Sequence, residues 1–337
     1  MTFQPRFTMT NTILNNLLGI TEAVTRMRYC RRETPHLRRV NRLKSIQSSL
    51  AIEGNSLTLD EVTAVIDGME VDGPKREIKE IKNAYAAYEM LDSVDPFSIN
   101  DLLSVHKTMM DGLIKNAGSL RKCKVGVFDG GGNCIHLAPH PWDVLKLVGD
   151  LFQWIKESDC PMVLRSCIFH YQFENIHPFE DGNGRTGRLW QTILLSKYDR
   201  SFEWIPVESM IRSYQSEYYD ALAKSNSECD CTVFLEYMTR MILEALNDSV
   251  EEQLKETVGV EDTMTVNEMK LYSMIKDGHF RNIKQAAEMM KVSVPTLNRC
   301  LKSLKDNGAI RKIGNKKTGK WIVINHEMMI DITNAEE

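Results

Sequence analysis

Apolar residues recur at helical spacing along most of this chain, and polar clusters with glycine or proline interrupt them. Ile13, Leu17, Ile20 and Val24 predict a helix from Thr10 to about Arg32. Ile46, Leu50 and the Ala51/Ile52 pair give one apolar side to a helix that Gly54-Asn55 suits as a C-terminal cap. Thr58 with Glu61 forms a capping box for a helix to about Asp67. Further helices are predicted over Arg76–Leu91, from the Ser98 cap to about Leu113, and over Trp142–Lys156. Met162–Ile176, Arg185–Tyr198, Ser209 to about Ser225, and Cys231 to about Leu254 continue the series.

Two stretches break this rhythm. Val125-Gly-Val-Phe128 and Cys134-Ile-His-Leu137 read as strands around the turn Asp129-Gly-Gly-Gly-Asn133, a β-hairpin. The glycine run lacks the lysine-serine pair of a P-loop. Beyond a linker at Glu256–Met264, Ala287, Val292, Leu297 and Leu301 would pack a helix-turn-helix, with Ser293 capping its second helix and Pro295 in the first turn. Ala309–Ile313 and Trp321–Ile324 would be strands around Gly314–Gly319, which completes a pattern similar to a winged helix. The fold class is therefore mainly α, with one β-hairpin and a small C-terminal winged-helix domain.

Composition adjusts this picture in a few places. A chain of 337 residues accommodates two domains or three. The net charge of −4 selects no partner. It is unevenly spread, however: Thr265–Asn325 holds thirteen Lys/Arg against four Asp/Glu, a net +9. Thr296, Asn298, Arg299 and Lys302 on the second helix, with a basic wing, suit contacts with DNA. The eight cysteines show no CxxC spacing and read as reduced thiols of a cytoplasmic protein. No apolar run approaches a membrane span, and the N-terminal residues carry no secretory pattern. His106, beside Leu102, Leu103 and Met109, reads as a packed core residue. The basic cluster Arg28, Arg31, Arg32, Arg38, Arg39 and Arg42 reads as a solvated face.

The chemistry concentrates in His177-Pro-Phe-Glu-Asp-Gly-Asn-Gly-Arg-Thr-Gly-Arg188. Pro178 and Gly182 end one helical pattern, and Gly182-Asn183-Gly184 leads into the next. Free backbone N–H groups and the dipole at a helix start attract phosphate oxygens. Arg185 and Arg188, three apart, share a helix face and can clamp further phosphates. Asp181 is a hard oxygen ligand of the kind Mg²⁺ takes beside nucleotide phosphates. His177 can act as a general base near neutral pH.

This run fills every specified position of HxFx(D/E)GNGRxxR and so resembles the signature of Fic-domain proteins. The resemblance implies a Fic-type helical bundle that moves AMP from ATP to a Ser, Thr or Tyr hydroxyl of a target protein, and to itself. It assigns His177 to the proton of that hydroxyl, Asp181 to Mg²⁺, and Phe179 to anchoring the loop. Asn183 and the Gly182 and Gly184 backbone go to the α- and β-phosphates, and Arg185 and Arg188 to the β- and γ-phosphates. A kinase-like toxin of this fold carries lysine where this chain has Gly184, so the resemblance favours AMP transfer over phosphate transfer. Tyr218, Tyr219 and Asn226 would lie near the adenine. The hairpin matches the Fic flap, in which Val125, Gly126, Val127, Phe128, Ile135, His136 and Leu137 would pair with an extended target segment.

Ser49-Leu-Ala-Ile-Glu-Gly-Asn55 resembles the Fic inhibitory motif (S/T)xxxE(G/N). A carboxylate at a helix C-terminus is disfavoured by the dipole, so Glu53 calls for a compensating cation. The resemblance supplies it: Glu53, with Ser49, would pair with Arg188 and hold ATP in an unproductive pose. Three parts follow: 1–97 with the inhibitory motif, 98–255 as the catalytic core, and 256–337 as linker and winged helix. A hydrolase that removes AMP through Glu53, and a DNA-binding regulator with a Fic-type sensor body, are the rival readings. A homodimer is compatible with all three.

Overall fold

The computed structural model describes residues 3–30, 35–128, 134–263, 265–306, 309–313 and 320–323. The chain forms two compact units, Met1–Met27 with Thr34–Ser249, and Arg28–Glu33 with Val250–Glu337. The hairpin turn Asp129–Asn133, the Gly314–Gly319 wing, and Arg31 and Arg32 of the basic cluster lie outside the described residues.

The first unit is helical apart from one strand pair. Its helices are α1 (Asn11–Cys30), α2 (Pro35–Ile52), α3 (Leu59–Ile66), α4 (Lys75–Tyr88) and α5 (Ile99–Met109). β1 (Gly126–Phe128) and β2 (Cys134–Leu137) follow, then α6 (Pro141–Glu157), α7 (Met162–Ile176), α8 (Asn183–Tyr198), α9 (Val207–Ser213), α10 (Gln215–Glu228) and α11 (Thr232–Thr263), whose residues from Val250 on belong to the second unit. β1 and β2 are antiparallel, pairing Gly126 with Leu137, Val127 with His136 and Phe128 with Cys134. The register slips between Val127 and Phe128, which leaves Ile135 unpaired, a bulge.

The centre of this unit is the α7–α8 pair. Both helices bury residues on every side, as the innermost helices of a bundle do. From α7, Leu164, Ile168, Phe169 and Phe173 are buried, and from α8, Leu189, Trp190, Ile193 and Leu194. Phe169 and Trp190 lie with Phe152 of α6 in one aromatic cluster. Around it, α2, α4 and α5 contribute Leu50, Tyr88, Val105 and Met109 to the same core. The loop between α7 and α8 is therefore carried by the two most enclosed elements of the bundle.

Several boundaries differ from the sequence reading; α5, expected to about Leu113, ends at Met109. α8 starts at Asn183, because Gly182 takes the left-handed conformation (φ 83) and lets the turn close sooner. The single helix expected over Ser209–Ser225 is two helices, α9 and α10, broken at Tyr214 (φ −114, ψ 38). The backbone of α11 stays helical to Thr263, through most of the expected linker. That stretch contains no proline, so no backbone donor is lost, and its one glycine, Gly259, weakens a helix without ending it.

The second unit holds α12 (Val266–Lys276), α13 (Ile283–Met290), α14 (Val294–Asp306) and the antiparallel pair β3 (Ile310–Ile313) and β4 (Lys320–Val323). Leu271, Ile275, Ala287, Leu297, Leu301, Leu304, Ile310 and Val323 form its own core. Ser293 Oγ accepts from the Thr296 N–H at the start of α14. Asn298, Arg299, Lys302 and Lys305 are exposed on the opposite face of that helix.

Candidate active site

His177 closes α7 in a left-handed conformation, φ 49 and ψ 61. Its Nδ1 lies 3.3 Å from the Glu174 carbonyl oxygen. A carbonyl only accepts, so Nδ1 carries the proton and the lone pair sits on Nε2. The next five residues, Pro178–Gly182, turn the chain into α8. Phe179 is fully buried and stacks on His106, ring centroids 3.5 Å apart. The Asn183 side chain locks this turn: its Oδ1 accepts from the Phe179 N–H and its Nδ2 donates to the Phe179 oxygen, both at 2.9 Å. Both ends of the amide expected on phosphate are thus held by the loop itself, which leaves the backbone N–H of Asn183 for a ligand. Gly182 tolerates no side chain, since a Cβ there would fall 2.5 Å from Met110 Sδ.

His106 reaches the loop from α5. The Gly118 N–H donates to its Nδ1 at 2.9 Å, so the proton sits on Nε2, which donates to the Asp181 oxygen at 3.0 Å. Burial pushes its pKa down to about 4, which keeps the ring neutral and this tautomer fixed. The sequence reading of a packed core residue misses this role, because both anchors are distant in the chain.

The charged groups form a chain across the loop. Asp181 Oδ1 accepts from the Gly182 N–H (2.6 Å) and Arg185 Nη2 (3.0 Å), and Oδ2 lies 3.4 Å from Arg76 Nη2. Arg185 also meets Glu80 Oε1 at 3.3 Å. Glu80 Oε2 accepts from Asn55 Nδ2 at 3.0 Å, which links the segment after Glu53 to this chain. As a metal site, Asp181 offers one carboxylate whose side chain is 39% exposed. A lone, accessible carboxylate fits Mg²⁺, which draws its remaining ligands from water and phosphate.

Glu53 directly follows α2, where the Asn55 N–H returns to the Leu50 oxygen and Gly54 sits at φ 92. Its Oε1 accepts from Arg188 Nη2 at 2.8 Å. A Cβ on Gly184 would fall 2.3 Å from that same oxygen, so the carboxylate lies against the first turn of α8. It occupies the position where a helix N-terminus binds an anion. Arg188, with its side chain 1% exposed, has two further partners: Nε donates to Ser49 Oγ (3.0 Å) and Nη2 to the Ser49 oxygen (2.9 Å).

Beside this pair lies Glu174, whose buried Oε1 has no hydrogen-bond partner. Burial pushes its carboxyl up to about 7, against the pull of Arg188 and with the push of Glu53. An unfolded carboxyl ionises near 4.5, so the folded chain binds the extra proton between those values. The stability this contributes is complete below about pH 4.5 and lost as pH rises through 7, up to about 3 kcal/mol. Glu174→Gln, which has nothing to ionise, is therefore expected to gain stability over wild type at about pH 8 and much less at about pH 5. Denaturant midpoints at the two pH values check this.

The three adenine candidates all lie on α10, and two of them touch. Tyr218 is buried, and its hydroxyl bonds His170 Nε2 at 2.9 Å within an aromatic cluster that includes Phe234 and Tyr237. Tyr219 packs edge-on against it and is 43% exposed. Asn226 lines an open cavity of about 320 Å³ with Tyr171, Gln172, Asn175, Cys229 and Asp230 among others. Arg121, a residue the sequence reading did not single out, holds the backbone of His177.

The Fic/DOC family model matches residues 96–195, the interval that contains this loop. A solved structure, a Fic family protein from Desulfovibrio desulfuricans G20, is 37% identical, with 96% of this chain and 99% of that one aligned at a TM-score of 0.71. The chain belongs to the Fic family. Among curated relatives, protein adenylyltransferase fic-1 of Caenorhabditis briggsae is 30% identical over 207 residues, 58% of this chain and 38% of that protein. The Caenorhabditis elegans protein of the same name is 28% identical over the same shares. This Fic chain thus spans less than half the length of the curated relatives it matches. A solved Fic-1 fragment from C. elegans, 23% identical with a TM-score of 0.57 over 72% of each chain, shares the fold. No described helix of this Fic protein is long and apolar enough to cross a membrane.

Proposed function

We propose that this Fic protein transfers AMP from ATP to a Ser, Thr or Tyr hydroxyl of a target protein, and to itself. The reading rests on one observation above all. A histidine whose Nδ1 faces a backbone carbonyl, a single accessible carboxylate and a helix N-terminus that already accommodates an anionic oxygen meet in one loop. His177 Nε2 takes the hydroxyl proton as the oxygen attacks the α-phosphorus. The bond from that phosphorus to the β-bridging oxygen breaks, and pyrophosphate leaves. The N–H groups of Asn183 and Gly184 and the guanidinium groups of Arg185 and Arg188 receive the phosphates. Mg²⁺, held by Asp181, would neutralise charge on the α- and β-phosphates. Asp181→Ala is expected to lose both transfer and its dependence on Mg²⁺, read from a Mg²⁺ titration of the rate.

The curated relatives are named protein adenylyltransferases, which supports AMP as the transferred group. Matched incubations with α-labelled and γ-labelled ATP test it on intact protein. Incorporation from the α-label alone is expected, and incorporation from the γ-label would make the chain a kinase.

We assign Glu53 and Ser49 to restraint of this activity and the β1–β2 hairpin, from Val125 to Leu137, to aligning an extended target segment by main-chain pairing. Tyr219 and Asn226 would meet the adenine, with Tyr218 behind Tyr219. Residues 98–255 would then be the catalytic core, 1–97 the restraining region, and 256–337 an appended winged helix. The free thiols of Cys123, Cys160, Cys167, Cys229, Cys231 and Cys300 suit a reducing compartment such as the cytoplasm. A second activity is supported by the exposed Asn298, Arg299, Lys302 and Lys305 on α14: contact with duplex DNA. Affinity of the full chain for DNA should fall steeply between about 50 and 200 mM salt, and weaken in Lys302→Glu.

A further inference from the structure

We propose that Arg121 is a positioning residue, whose buried guanidinium fixes the backbone of His177 and fastens it to both ends of the β1–β2 hairpin. This rests on the transfer reading above. Arg121 is 2% exposed, yet its hydrogen-bond partners among the described residues are all backbone carbonyls. Its Nε donates to the His177 oxygen at 2.7 Å, and Nη2 to the Ile176 oxygen at 3.2 Å. Nη2 also donates to the Pro139 oxygen at 2.7 Å, and Nη1 to the Cys123 oxygen at 2.9 Å. The Arg121 N–H adds the Pro178 oxygen at 2.9 Å.

These contacts answer a local need. The last carbonyls of a helix have no partner within it, and they carry the negative end of its dipole. His177 in addition holds a left-handed conformation (φ 49) that a non-glycine residue keeps only where its surroundings over-determine it. A cation on the Ile176 and His177 oxygens meets both needs. A helix cap alone would end there. Arg121 goes on to Cys123, three residues before β1, and to Pro139, two residues after β2. One planar fork therefore ties the two ends of the hairpin to the residue that bears the base. Lysine, a single point charge, cannot make this set of bonds in fixed directions.

The hairpin that would align the target and the histidine that would deprotonate it thus share one anchor. Loosening the anchor should disturb the approach of hydroxyl to base more than the binding of ATP, whose phosphate donors lie on α8.

The test places Arg121→Lys and Arg121→Ala in the full-length Glu53→Gly background. A loss in kcat of about a hundredfold is expected, with ATP affinity by equilibrium binding kept within about threefold of the parent. Guanidinium ion should restore part of the Ala variant's rate and none of the Lys variant's. Hydrogen exchange reads the anchor without any activity: amides of 123–128, 134–138 and 176–182 should exchange about tenfold faster in Arg121→Lys, with those of α14 unchanged. Where the Ala variant does not fold, the Lys variant decides. A kcat within about threefold of the parent, an equal fall in ATP affinity and kcat, or unchanged exchange in all of these segments would overturn the proposal. A parent that transfers no AMP instead defeats the transfer reading, and the exchange measurement then decides the role of Arg121 alone.

Discussion

His177→Ala is expected to slow AMP transfer about a thousandfold while ATP affinity stays within about threefold. The argument is geometric. The Glu174 oxygen takes the Nδ1 proton, so the imidazole presents its lone pair at Nε2. The two other acids of the loop are engaged elsewhere: Glu180 accepts from Asn116 Nδ2 at 3.0 Å, and Asp181 lies between Arg185 and Arg76. The phosphate donors assigned to ATP sit on α8, beyond Gly182. Single-turnover transfer and equilibrium ATP binding separate the two quantities. Retained transfer would move the base to Glu180.

The second large effect has the opposite sign. Glu53→Gly should raise AMP incorporation by about ten- to a hundredfold. A hydrogen bond between ionised groups contributes about 1.5–3 kcal/mol, and about 1.4 kcal/mol corresponds to a factor of ten. The Glu53 carboxylate holds Arg188 at 2.8 Å and lies against Gly184, so it competes with a phosphate for both. Ser49 makes the gain possible. Its hydroxyl and carbonyl grip Arg188 independently of Glu53, so the guanidinium stays aimed at the site once the carboxylate is gone. Arg188→Ala should not activate, because it removes a phosphate ligand together with the restraint. Steady-state incorporation rates of the three proteins check this.

The sequence disclosed the helices well and their company poorly. Periodicity located most amphipathic helices because one face of each is polar. It said less about α7 and α8, which are buried all round, and there Pro178 and Gly182 supplied the punctuation. The break between α9 and α10 at Tyr214 carries no glycine or proline and left no local mark. The signature residues were legible because their chemistry is concentrated in twelve consecutive positions. What escaped were groups that reach the loop from afar. His106 touches Asp181, 75 residues away, and Arg121 touches His177, 56 residues away. Each looks locally like an ordinary packed histidine or a solvated arginine, and only the folded chain shows their bonds. Asn183 shows the converse: a residue in plain view whose side chain the loop keeps for itself.

The central claim is that Glu53 restrains an AMP transfer that depends on His177. Incorporation from α-labelled ATP and Mg²⁺ into the purified full chain tests it most directly, for wild type, Glu53→Gly, and Glu53→Gly with His177→Ala. Strong labelling of the single variant, with little in the other two, is the predicted result. Equal, high labelling of wild type and Glu53→Gly would contradict the restraint, and strong labelling of the double variant would contradict the role of His177.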